Sequence, residues 1–176
     1  MKKIKLTKGK ETLVDDEDYP YLNEHKWYAL RVKNRDEFYA VRNGPIDSSG
    51  KNKKIYMHRE ITNAPKEKPV DHINRNPLDN RKENLRVCTH QENQMNRGKS
   101  KDNKSGYKGV SYHKKAKHMI NEYKSPWQST IRLNRKLMSL GMYKTKEEAA
   151  RAYDKKAIEL FGEFAVLNFP EKLNEY

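Results

Sequence analysis

One cysteine, Cys88, is all the chain has, which excludes an internal disulfide and a multi-cysteine zinc site. No apolar run is long enough to cross a bilayer, and no basic amphipathic segment has a broad apolar face. A membrane partner is therefore not expected. The basic start, MKKIKLTKGKE, lacks the apolar stretch that follows in a secretion signal, so an intracellular, cytoplasmic protein is expected. Apolar residues are scarce too. They make up 34% of 176 residues against 35% charged, which argues against one large core and for several small modules. Acidic residues are outnumbered, 24 to 38, and the resulting net charge of +14 points to a polyanionic partner.

What is present begins with a β-rich region. Ile4-Lys5-Leu6-Thr7 alternates, Lys8-Gly9-Lys10 is a turn signal, and residues 12–14 continue the pattern. Trp27-Tyr28-Ala29-Leu30-Arg31-Val32 and Phe38-Tyr39-Ala40-Val41-Arg42 are aromatic-rich strand candidates joined by a charged turn. The acidic cluster at 15–18 reads as a turn or a helix N-terminus, since no second ligand cluster accompanies it. Residues 43–54, with Gly44-Pro45 and Ser48-Ser49-Gly50, read as a loop.

The rest is arranged around residues 69–96, PVDHINRNPLDNRKENLRVCTHQENQMN. Residues 70–73 and 85–87 are short strand candidates. Thr89 and Glu92 form a capping box that predicts a helix over 91–97, closed by Gly98. Asp71 offers a carboxylate and Asn93 an amide oxygen, both hard ligands, and the His72 imidazole titrates near working pH. Adjacent residues of a regular strand face opposite ways, so the strand must end or bend if Asp71 and His72 are to serve one site.

Asp71-His72, Asn84 within Glu-Asn-Leu, and Asn93 together resemble the core of the HNH endonucleases. The spacing is similar to the phage branch of that family, where an Asn replaces the final His. The resemblance implies a ββα-metal core in an α+β chain, cutting double-stranded DNA at a phosphodiester. It implies catalytic roles for His72, as general base, and Asn84, fixing the loop. Asp71 and Asn93 would hold one divalent cation, magnesium or manganese. A homing-type, phage-encoded enzyme is implied, and one site per chain points to a monomer that nicks one strand.

By the same resemblance His58 and Arg59 lie near the site. For His58, a structural tie and a phosphate contact are both open. Arg75, Arg81, Lys82, Arg86 and Arg97 surround the core, some as phosphate holders. Arg97, four residues after Asn93, would share its helix face and clamp a phosphate. A zinc site from His72, Cys88 and His90 is an alternative on ligand type alone. Cys88 reads more simply as a small buried apolar residue.

Residues 99–105 form a basic linker, and from 106 the pattern changes. Strand candidates at 107–112, 127–133 and 136–143 precede a helix opened by Thr145 and Glu148 and stopped at Gly162. Eleven Lys or Arg against two Asp or Glu fall within 101–144, whereas 145–176 holds five against seven, so the sheet is the basic surface. Tyr107-Lys108-Gly109-Val110, Leu140-Gly141-Met142-Tyr143, Glu148-Ala149-Ala150-Arg151-Ala152-Tyr153-Asp154 and Leu167-Asn168-Phe169-Pro170 are similar to the plant APETALA-type DNA-binding domain. That resemblance implies a three-stranded antiparallel sheet packed on one helix. It implies DNA contacts from Lys108, Ser111, His113, Thr130 and Arg132. The expected division is a β-rich region at 1–54, a nuclease core at 55–98, a linker at 99–105 and a DNA-binding domain at 106–176. Two rivals remain open: a DNA-binding regulator with an inactive core, and an RNA-binding module.

Overall fold

Turn chemistry shapes the first sheet. Lys8 and Gly9 both take positive φ, 60° and 64°, the geometry of a tight hairpin turn. They fold β1 (Lys2–Lys5) back on β2 (Glu11–Val14) in antiparallel register. The computed structural model describes residues 1–33, 36–113 and 125–171. The charged turn near 34–35 and the basic run at 114–124 lie outside the described residues.

The chain divides into two compact units, Met1–Asn93 and Gln94–Tyr176. In the first, α1 (Tyr19–Asn23) starts at the acidic cluster, with Asp18 at its N-cap and Pro20 in its opening turn. A second antiparallel sheet runs β3 (Tyr28–Arg31), β4 (Phe38–Ile46), β5 (Asn52–Tyr56). Its outer hairpin corrects the loop expected at 43–54. Asn43 pairs with Lys54 and Ile46 with Asn52, and the register shift between them accommodates Gly44-Pro45 as a bulge. Only the tip is a turn, held by the Asp47 carboxylate accepting from the Ser49 and Lys51 backbone at 2.8 and 3.1 Å. Ile4, Leu6, Val14, Leu22, Trp27, Ala29, Ala40 and Met57 form the core beneath these elements.

Directly after β5 comes a short helix, α2 (Met57–Thr62), that the residue pattern did not suggest. It ends at Asn63 in the left-handed conformation, φ 46°. Two-stranded pairing of β6 (Val70–His72) with β7 (Leu85–Val87) follows, and then α3 (His90–Met95). The α3 capping box is made, Thr89 N–H donating to Glu92 at 2.7 Å and Glu92 N–H to Thr89 at 3.2 Å. The helix stops at Met95, two residues short of the expected end. Residues 1–54 and the centre belong to one unit because β2 bonds the long loop between β6 and β7. Leu13 N–H donates to Leu78 O, and Asn80 N–H to Leu13 O, both at 2.8 Å.

The second unit has sheet order β8 (Val110–Tyr112), β9 (Trp127–Leu133), β10 (Lys136–Tyr143), all antiparallel. Asn134 and Arg135 make its tight turn with φ of 49° and 65°. The long helix α4 (Lys146–Phe161) opens on the Thr145–Glu148 capping box and closes at Gly162. Its buried stripe, Ala149, Ala150, Tyr153, Ala157 and Phe161, packs against Val110 and Ile131 of the sheet. Asp154, fully buried on α4, accepts from the Asn168 and Phe169 backbone N–H groups at 2.8 and 2.9 Å. Asn168 in turn accepts from Lys108 N–H at 2.7 Å. One carboxylate thereby ties the helix to the C-terminal segment and to the start of the sheet.

Candidate active site

β6 is three residues long, and it carries both Asp71 and His72. Both are buried, as is Asn84 at the end of a 3-10 turn, Lys82–Asn84, leading into β7. Asp71 lies opposite Arg86 in the β6–β7 register, so their side chains share a face. The guanidinium donates to Asp71 Oδ2 from Nε at 3.0 Å and from Nη2 at 2.8 Å. His72 is the next residue and the last of the strand. Its ring packs 5.2 Å from that of His58 and 6.1 Å from that of Tyr39.

Beyond His72 the chain turns sharply. Arg75 takes φ 63° and donates its N–H to His72 O at 2.8 Å. Asn84 pins the loop from inside, accepting from Asn74 N–H at 2.9 Å and donating to Asp79 O at 2.8 Å. The buried Asp79 carboxylate holds Asn74 Nδ2 at 2.8 Å and the Arg81 guanidinium at 2.7 Å. From the other side the acidic cluster of residues 15–18 caps the turn. Lys82 N–H donates to Asp15 at 2.7 Å, and its ammonium reaches Glu17 at 2.6 Å and Asp18 at 3.1 Å.

Burial decides the protonation of both imidazoles. It pushes His58 down to about 3, helped by the charges of His72 and Arg59. It also pulls His72 below its ordinary value, while the hydrogen bond to Asn80 and the charges of Asp71 and Asp79 pull back. Cys88 is raised, first by burial and then by the negative charge of Asp71, and a hydrogen bond from the Asn93 backbone opposes this.

Among the described residues no group of three or more His, Cys, Asp and Glu is placed to hold a metal. This corrects the zinc alternative. His90 is exposed at the start of α3 while His72 and Cys88 are buried. Asp71 and Asn93 carry oxygen donors of the kind that suits a hard divalent ion.

Several basic residues expected to contact DNA are otherwise engaged. The Arg59 guanidinium donates to Lys68 O, Ala64 O and Pro65 O at 2.9, 3.3 and 2.7 Å, closing the segment that follows α2. Arg81, Lys82 and Arg86 are paired with carboxylates. Arg97 lies beyond the end of α3, so the shared helix face expected for it and Asn93 does not exist. The Lys108 ammonium donates to Met95 O at 2.9 Å and sits over the Tyr153 ring, on the helix side of the sheet. Ser111 and Arg132 are exposed, and Thr130 is half-buried on the same outward face as Arg132. His113 follows β8 and donates its N–H to Pro126 O.

Two residues of the site carried no signal in the sequence. Asn80 and Thr12 are both fully buried, with Asn80 Oδ1 3.3 Å from His72 Nε2 and Asn80 Nδ2 donating to Thr12 Oγ1 at 2.7 Å. A polar residue in an alternating strand reads as outward-facing, which hid Thr12.

A buried Asp–His pair beside an asparagine-pinned loop, on a mixed α and β chain of strong positive charge, marks a nuclease. A profile of the HNH endonuclease family matches residues 60–95. The chain is also 31% identical over 167 residues to an uncharacterized HNH endonuclease of Acanthamoeba polyphaga mimivirus, covering 92% of this chain and 76% of that one. The chain belongs to the HNH endonuclease family and is a DNA endonuclease.

Proposed function

We propose that this endonuclease nicks one strand of duplex DNA with a single divalent ion and His72 as general base, in the manner of the homing-type enzymes. The observation that carries this reading is the burial of Asp71, His72 and Asn84, each 5–6% exposed, in a small module that is poor in apolar residues. Buried polar groups cost stability unless paired, and a fold alone would not collect three of them on one strand pair and its loop.

In this reading neutral His72 accepts a proton from a water as the water oxygen bonds to phosphorus. The bond from phosphorus to the 3′ oxygen breaks, and that oxygen takes a proton from solvent. Asp71 and Asn93 would hold magnesium or manganese, which when bound offsets the charge gathering on the phosphate and the departing oxygen. Asn84 keeps the loop closed behind His72. Arg86 fixes the rotamer of Asp71 by a two-pronged contact.

The second unit would choose the site. Its outward sheet face, carrying Ser111, Thr130 and Arg132, is similar in placement to the groove-reading face of APETALA-type domains. A supercoiled plasmid carrying the target tests the metal reading. Nicking should need magnesium or manganese, vanish with chelator, and fall at least about 100-fold in Asp71→Ala and Asn93→Ala. Undiminished cutting in chelator would sink the metal-dependent reading.

A further inference from the structure

The hydrogen bonds behind His72 form a one-way chain. Thr12 Oγ1 lies 2.8 Å from Leu78 O and 3.9 Å from Met57 Sδ. Neither acceptor has a hydrogen to give, so the hydroxyl must donate and keeps only lone pairs for its other neighbour. That neighbour is the Asn80 side-chain amide, 2.7 Å away. The amide must therefore present its NH2 group to Thr12. Pro77 O, another pure acceptor, lies 3.5 Å from the same nitrogen and agrees with this orientation. Asn80 Oδ1 is then the atom left facing His72 Nε2, at 3.3 Å. An oxygen without hydrogen requires a hydrogen on its partner.

We infer that Thr12 and Asn80 are positioning residues that hold the proton of His72 on Nε2 and its lone pair on Nδ1. The relay makes the N-terminal hairpin part of the cutting centre, reaching it across 68 residues of chain. It rests on the reading of His72 as general base. In a neutral imidazole the hydrogen bond at one nitrogen sets the tautomer, and the wrong tautomer has no lone pair where the water stands. Thr12 and Asn80 are fully buried, so water cannot stand in for a missing partner behind His72.

The full chain labelled with 15N-histidine, free of metal, tests this by NMR, with His72→Gln identifying the His72 resonances. Wild type should show a protonated Nε2 and a bare Nδ1 at His72. Thr12→Val removes the hydroxyl at nearly constant shape, so the amide loses its anchor. Its spectrum should shift toward the Nδ1-protonated form, and kcat should drop about 10- to 100-fold with KM unchanged. Thr12→Ser should restore both. A wild-type spectrum with the proton on Nδ1 overturns the inference, and so does Thr12→Val with wild-type tautomer and kcat. Full nicking by His72→Ala would instead remove the general-base reading and leave the tautomer result standing.

Discussion

The side chains that govern this centre are polar groups made to stay put by burial. Asn84 satisfies two backbone groups that the loop could not pair otherwise. Asn84→Ala strands both, and should cost about 1–3 kcal/mol in urea unfolding together with most of the nicking rate. Unchanged stability would mean that water replaces the amide. His58 makes a second prediction. Its value near 3 lies below that of an unfolded histidine near 6.5, so between those pH values the unfolded chain binds the proton that the folded chain refuses. Stability should therefore be complete above about 6.5 and fall as the pH drops toward 3, by up to about 1.4 kcal/mol per pH unit from this group. His72, lowered in the same direction, adds to the slope. His58→Phe should flatten the curve, and superimposable pH curves would contradict the assignment. The short strand carrying Asp71 and His72, the turn ending in Asn84 and the helix carrying Asn93 were readable because spacing and a capping box announce them locally. Thr12, Asn80 and the Asp71–Arg86 pair were not, since their meaning lies in register and burial that no local pattern encodes.

Helices and strands with explicit end signals were legible, and those set by pairing were not. The Thr145–Glu148 box and the two positive-φ turns fixed α4 and two hairpins within a residue or so. β4 ran on through Gly44-Pro45 because a bulge absorbs a proline that would break regular pairing. α2 has no side-chain cap, and its six residues follow β5 without a break, so nothing local announces it. α3 ends at Met95, and Gly98 does not take the left-handed conformation of a helix-closing glycine. In the second unit, Gly109 sits at φ 76°, where a Cβ would come within 2.0 Å of the Tyr153 ring and 2.7 Å of Thr130 O. Gly109→Ala should unfold or expand the sheet–helix unit, seen as a lost cooperative transition in calorimetry. Thr145→Ala removes one cap bond and should cost only about 1 kcal/mol. Equal losses from the two variants would show that the close helix–sheet approach is not what Gly109 secures.

On the proposed mechanism charge brings the whole chain to DNA and the buried centre cuts, so the two should separate experimentally. A net charge of +14 predicts affinity that falls steeply with salt. Arg132, exposed on the outward face of β9, should weaken binding when changed to Ala and lower the salt slope by about one. An unaltered slope would take Arg132 off the DNA interface. The most direct measurement is single-turnover nicking of a mapped target by wild type and His72→Ala, with DNA affinity measured on the same samples. His72→Ala should bind as tightly as wild type and cut at least about 100-fold more slowly. Equal cutting by the two proteins would contradict the assignment of His72 as the base.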